Sequence, residues 1–289
     1  MIQRVRLGNV LALALCAALA LDGCASGPSA RGRRAMDEGA FEDAARAFRE
    51  AAEAAPLDAA RWLELGRAEM AAERQPRARE AFTRAAQLLP SDPQPRILVG
   101  HTWELERRWD EALAAYLQAV QVAPASARPY RVLGTRLLRW GRPLEAVEPL
   151  ARAVALGPEY AETWNALALA RYHSDDLAGA EGTFKQGIAL HPAHRGLRLG
   201  LAALLVNARR FDEALAVYAE ILTQEPEFAA AHVGRALLLH ELGRPSEAES
   251  EFVEAVRVAR DPAPYRARLA AYRQLRATET RGARRADPR

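Results

Sequence analysis

The chain has 289 residues, with 40 lysines and arginines against 37 acids and a formal net charge of +3. That excess belongs to the ends: residues 1–23 carry +1 and residues 273–289 carry six arginines against two acids, which leaves residues 25–272 near −2 and argues against a basic, nucleic-acid-binding stripe. Lys185 is the single lysine and stands in Thr-Phe-Lys-Gln-Gly, which excludes a glycine-rich phosphate loop, and the two cysteines, Cys16 and Cys24, leave no disulfide framework downstream.

In chain order, Arg4 and Arg6 precede a mostly apolar run from Leu7 to Leu21. This is the charged n-region and short h-region of a secretory signal, and it is too short for a comfortable membrane span. The run ends in Leu21-Asp22-Gly23-Cys24, followed by the small, flexible Ala25-Ser26-Gly27-Pro28. This segment resembles a bacterial lipoprotein signal over residues 1–23, with Cys24 and a tether at 24–28. The resemblance implies a thioether-linked diacylglycerol on Cys24, and cysteine is the side chain with the intrinsic nucleophilicity for that bond. Asp22 departs from the small or apolar residue usual there. Ala25, where an aspartate would resemble an inner-membrane retention signal, leans the reading toward an outer-membrane lipoprotein facing the periplasm. Ala18-Leu19-Ala20 offers the alternative, an ordinary small-x-small cleavage site that releases a soluble periplasmic protein.

From there to Pro262 one period governs the sequence. Proline recurs every 34 residues at Pro56, Pro90, Pro124, Pro158, Pro192 and Pro226. Other columns keep the same beat. Alanine stands at Ala44, Ala78, Ala112, Ala146, Ala180, Ala214 and Ala248; a large apolar residue at Phe48, Phe82, Tyr116, Leu150, Phe184, Tyr218 and Phe252; a small one at Gly32, Gly66, Gly100, Gly134, Ala168, Ala202 and Ala236. Within each period the apolar residues fall at helical spacing, as in Ala112, Tyr116, Ala119 and Val120. Turn or polar residues at Gly39, Arg107-Arg108, Gly141, Asp175-Asp176, Arg209-Arg210 and Gly243 split the period into two helices. The proline stops the second helix, because it lacks an N–H and biases its predecessor away from helix.

Trp62-x-x-Leu65-Gly66, then Ala78-x-x-x-Phe82, then Pro90, resembles the tetratricopeptide repeat pattern. The resemblance implies an all-α fold, a right-handed superhelical solenoid of about seven helix–turn–helix repeats over residues 29–262. Repeat boundaries fall near 58/59, 92/93, 126/127, 160/161, 194/195 and 228/229. The ends depart from the pattern as terminal repeats do: Arg31 replaces the leucine of Leu65, Leu133, Leu167 and Leu201, and Arg260 replaces the proline. Tyr265, Leu269 and Tyr272 share one face of a capping helix expected over 263–276. Residues 277–289 lack apolar periodicity and are expected to be a disordered basic tail.

Catalytic constellations are absent from the sequence, which has no Gly-x-Ser-x-Gly, and a non-enzymatic chain is expected. His191-Pro192-Ala193-His194 straddles a repeat boundary without a neighbouring acid or cysteine, so no metal site is assigned. Asp175-Asp176 reads as turn chemistry. No cofactor is expected apart from the lipid on Cys24. By the family resemblance, the first helix of each repeat lines a groove through its second, fifth, ninth, twelfth and thirteenth places. This gives Arg67, Met70, His101, Glu104, Arg128, Arg131 and Arg139 in repeats two to four, and Asn165, Leu169, Tyr172, Leu199, Val206, Val233 and Leu237 in repeats five to seven. Such a groove is basic first and apolar second. It suits a carboxylate-bearing segment and then a partner helix or strand. The competing reading makes Arg128, Arg131 and Arg139 one solvated helix face and packs the apolar places on the C-terminal helix.

The resulting expectation is a lipid-anchored scaffold that holds another envelope protein, with the membrane reached through the lipid and nucleic acid not involved. It resembles pilotin-type lipoproteins that assist pilus or secretion complexes. Alternatives are a soluble periplasmic chaperone-like protein, and a scaffold for peptidoglycan enzymes or outer-membrane assembly.

Overall fold

The computed structural model describes residues 27–286, and its regular structure there is entirely α-helical. The leader, Cys24 and the last three residues lie outside the described residues. The helices run in order as α1 (Pro28–Asp37), α2 (Phe41–Ala54), α3 (Ala59–Ala71), α4 (Gln75–Leu88), α5 (Gln94–Leu105), α6 (Trp109–Val122), α7 (Ala127–Arg139), α8 (Pro143–Leu156), α9 (Ala161–His173), α10 (Leu177–Leu190), α11 (Arg195–Asn207), α12 (Phe211–Gln224), α13 (Ala229–Glu241), α14 (Pro245–Val258) and α15 (Ala263–Ala286). They form seven consecutive helix–turn–helix pairs and one final helix. The chain divides into two compact units, Met1–Leu133 and Gly134–Arg289, with α7 carrying the division.

The boundaries have local causes. α2, α4, α6, α8, α10 and α12 each end two residues before a periodic proline. At three of these prolines a side chain six residues on fastens the carbonyl: Trp62 Nε1 donates to the Pro56 carbonyl at 3.0 Å, Trp164 Nε1 to that of Pro158 at 2.9 Å, and a buried Arg198 guanidinium to that of Pro192. His232 fills the same place. Its Nε2 lies 2.9 Å from the Pro226 carbonyl and its Nδ1 2.7 Å from Glu251. Both neighbours only accept, so both ring nitrogens carry protons. The hydrogen bond to Glu251 holds the imidazole pKa above its ordinary value despite burial. Asp58 caps α3 by accepting from the Ala60 N–H, and Asp176 caps α10 through that of Gly179.

The turn inside each pair is also periodic. Positive φ occurs at Gly39, Glu73, Arg107, Gly141, Asp175, Arg209 and Gly243, every 34 residues. At each, two hydrogen bonds close the preceding helix, as where Arg107 N–H donates to Glu104 and Arg108 N–H to Trp103. This is a Schellman cap, and its left-handed residue favours glycine. Four of the seven positions hold side chains that are strained there. Replacing Arg107 (φ 57°) by glycine is therefore expected to stabilise the protein by about 0.5–1 kcal/mol, because the relief of left-handed strain exceeds the entropy glycine adds to the unfolded chain. A raised thermal midpoint checks it, and a lowered one would contradict the cap geometry.

In the first unit, Phe48, Ala52 and Leu65 form one buried cluster and Ala78, Phe82 and Leu98 the next. Arg31, at the edge where other repeats have leucine, is exposed and pairs with Glu50. In the second unit the core closes with Ala236, Phe252, Leu269 and Tyr272. α15 starts at the place of an eighth first helix, and Leu269 stands in its leucine column. It does not stop at Arg276, where the apolar pattern ends, but runs on to Ala286. The helix therefore occupies most of the stretch expected to be a disordered tail. At Ala277, the place of the left-handed column, the backbone stays helical and no cap closes the helix. An Arg276–Glu279 pair at 3.0 Å supports the next turn. Among the described residues no helix is long and apolar enough to cross a membrane.

Candidate binding face

Places five, nine and twelve are at i, i+4 and i+7, so each first helix carries its candidate residues on one stripe. In the second unit this stripe is Asn165, Leu169 and Tyr172 on α9, with Leu199 and Val206 on α11, all half-buried. Consecutive first helices here are neighbours, since α9 packs against α11 and α11 against α13. Asn207 Nδ2 donates to the Tyr172 hydroxyl at 2.6 Å and ties α9 to α11. The Tyr172 ring meets His173 edge-on at 5.1 Å. The result is an apolar strip with one polar bridge, suited to hold a side chain and orient a backbone. Asn207 was not singled out in the sequence, although it falls at the thirteenth place of its repeat, as Arg139 does in repeat four.

Val233 departs from the expected open groove: it is 7% exposed and belongs to the core with Leu269 and Tyr272, so here the apolar place does pack on the C-terminal helix. Leu237, one turn on, is 56% exposed.

The first unit divides its candidates differently. Arg67 and Arg128 are exposed, and Arg131 is half-buried. His101 lies edge-on to the Tyr116 ring at 5.8 Å, and Glu104 accepts from the Tyr116 hydroxyl at 2.6 Å. Met70 packs on the cluster around Phe82. His101, Glu104 and Met70 thus line the repeat's own packing, and the exposed cationic groups are Arg67 and Arg128. Arg139, in the second unit, is exposed as well.

The histidines of the 191–194 turn are engaged structurally. His191 Nε2 lies 2.8 Å from the Pro158 carbonyl, and His194 caps α11 and faces Glu162 at 3.0 Å. Among the described residues no three histidine, cysteine or acidic side chains are grouped as metal ligands.

Comparison with known proteins agrees with the helix count. A tetratricopeptide repeat family model matches residues 29–93, 131–195 and 199–267, and a second model of the same repeat matches 171–222. Among solved structures, PilF of Pseudomonas aeruginosa is 20% identical, with 74% of this chain and 97% of that chain covered and a TM-score of 0.54. A tetratricopeptide repeat protein of Parabacteroides merdae is 15% identical over 85% of this chain and 97% of its own, also at 0.54. MamA is 23% identical over 55% of this chain and 94% of its own, at 0.50. These likenesses show a shared fold. No curated protein matches the chain. A fold of stacked helix pairs offers surface where an enzyme would offer a cleft, and its members are in general protein–protein interaction scaffolds. With family matches over more than half of its length, on the same beat as its helix pairs, the chain belongs to the tetratricopeptide repeat family.

Proposed function

We propose that this protein is a lipid-anchored adaptor of the bacterial envelope, fixed through a diacylglycerol on Cys24 and holding another envelope protein on its first-helix face. The observation that carries the reading is the apolar run Leu7–Leu21 ending in Gly23-Cys24, four residues ahead of α1 at Pro28. Two acyl chains suffice for stable anchoring, since each buried methylene contributes ~0.8 kcal/mol and a single chain binds only marginally. A tether of residues 24–28 reaches at most roughly 20 Å when extended, so the array would stay at the membrane surface. Confinement there raises the effective concentration of any partner in the same membrane. Within the envelope, the resemblance to pilotin-type lipoproteins directs the role toward assembly of a pilus or secretion complex at the outer membrane.

The test is fractionation of cells carrying the wild type and Cys24→Ala. The variant is expected to fold unchanged and to move from the membrane to the soluble fraction. Membrane partition that ignores the substitution would sink the anchor. Ala18-Leu19-Ala20 supports the second reading, a soluble periplasmic solenoid. An N-terminal peptide beginning at Leu21, with Cys24 unmodified, would establish that reading in place of the first.

A further inference from the structure

In the second unit bare backbone meets an aromatic ring between repeats five and six and between repeats six and seven. A Cβ at Gly200 of α11 would lie 2.4 Å from Phe184 Cε1, and one at Gly234 of α13 would lie 2.6 Å from Tyr218 Cε1. Both first helices therefore press bare backbone against the aromatic ring of the preceding repeat. The same place on α15 holds Arg268, which is exposed, while Leu269 and Tyr272 of α15 pack with Phe252, the Tyr272 ring centroid 4.8 Å from that of Phe252. Beside this contact lies a hollow of about 470 Å³, lined by Val233, Leu237, Phe252, Arg268, Ala271, Tyr272 and Leu275.

Its form and charge define what fits. Val233 and Leu237 are at i and i+4 on α13, and Arg268, Ala271 and Leu275 at i, i+3 and i+7 on α15. Two helical stripes thus flank Phe252, which is 3% exposed and forms the floor. Leu237 and Leu275 remain largely exposed, and this geometry receives the apolar stripe of a third helix. Arg268 is the charged residue of the lining, and the helix that carries it is basic. From Ala263 to Glu279 it carries Arg266, Arg268, Arg273 and Arg276 against one acid. Arg273 is engaged by Glu249 and Arg276 by Glu279. Arg268 stacks near Tyr265 and joins no ion pair among the described residues.

We propose that this hollow seats an acidic amphipathic segment of a partner protein, its apolar residues entering between Leu237 and Leu275 and its carboxylates meeting Arg268. The inference rests on the adaptor reading and names the chemistry of the segment held at the C-terminal end of the array.

The test titrates the full chain against fluorescent helical peptides and reads anisotropy. One peptide carries leucines on one face and glutamates on the other, a second has lysines for the glutamates, and a third has alanines for the leucines. The acidic leucine peptide is expected to bind, the basic one about tenfold more weakly, and the alanine one not at all. Arg268→Glu should reverse the charge preference. Ala271→Trp should fill the hollow and abolish binding, with thermal unfolding unchanged in both variants. Equal binding of acidic and basic peptides would overturn the proposal, as would binding that survives both substitutions. A concentration-dependent dimer that Leu237→Asp dissolves would instead make a second copy the occupant. Crosslinking in the envelope separates this failure from that of the adaptor reading: a captured partner lost in Tyr172→Ala but retained in Ala271→Trp leaves the adaptor standing and removes the hollow from it.

Discussion

Replacing Tyr116 by alanine is expected to destabilise the protein by about 3–5 kcal/mol, the cost of deleting a large aromatic side chain from a packed interior. Tyr116 is fully buried on α6, and the backbone of Gly100 on α5 approaches so closely that a methyl there would stand 2.5 Å from its ring. The site has little freedom to collapse around the void, because α5 is also packed on α4 of the preceding repeat. In a stacked array stability is a sum of repeat terms and nearest-neighbour interfaces, so the loss falls on repeat three and on the interfaces it shares. Tyr116→Phe is the control. It removes only the hydroxyl's bond to Glu104, which is half-exposed and can turn to water, so about 1 kcal/mol or less is expected. Urea unfolding followed by circular dichroism reads both. A near-neutral alanine variant would contradict the register of the repeats.

The fold was legible because its punctuation is chemical. Proline at a fixed period forces a helix end wherever it falls, and the second helices of repeats one to six stop two residues before it. The turn column was legible only in part. Gly39, Gly141 and Gly243 announce left-handed backbone, whereas Glu73 does not, and its place follows only from the period. The end of α15 was not legible, because the signal there is a missing cap: Ala277 is unremarkable in itself and matters only against seven left-handed residues before it.

The binding face was legible as a set of places and illegible as a set of states. Helical spacing puts Asn165, Leu169 and Tyr172 on one stripe whatever surrounds them. Whether a groove residue is open depends on the neighbouring helix, which the repeat pattern does not specify. Val233 and Leu237 sit at adjacent groove places of one helix, yet α15 covers the first and leaves the second exposed. His101 likewise looks available by position and is held against Tyr116 in the structure.

The small-residue column gives the second large effect. Gly66→Val is expected to destabilise by about 2 kcal/mol, net of the few tenths that valine regains over glycine in a helix interior. A Cβ at Gly66 would lie 2.4 Å from Phe82 Cε1 and 2.5 Å from Cδ1, and the ring is fully buried with nowhere to swing. Either α3 moves off α4 or the ring leaves its rotamer, and each breaks packing on the next repeat. Repeats five to seven show that the constraint belongs to the local approach rather than to the repeat in general. Ala168, Ala202 and Ala236 hold the same column at the same spacing from Phe184, Tyr218 and Phe252, and each alanine is fully buried. Those pairs have room for a methyl, so Ala168→Gly should lose stability by about 1 kcal/mol through helix propensity and the vacated contact. The two substitutions run in opposite chemical directions and both should lower the unfolding midpoint. If Gly66→Val left it unchanged, α3 and α4 would have slack that the 2.4 Å approach denies.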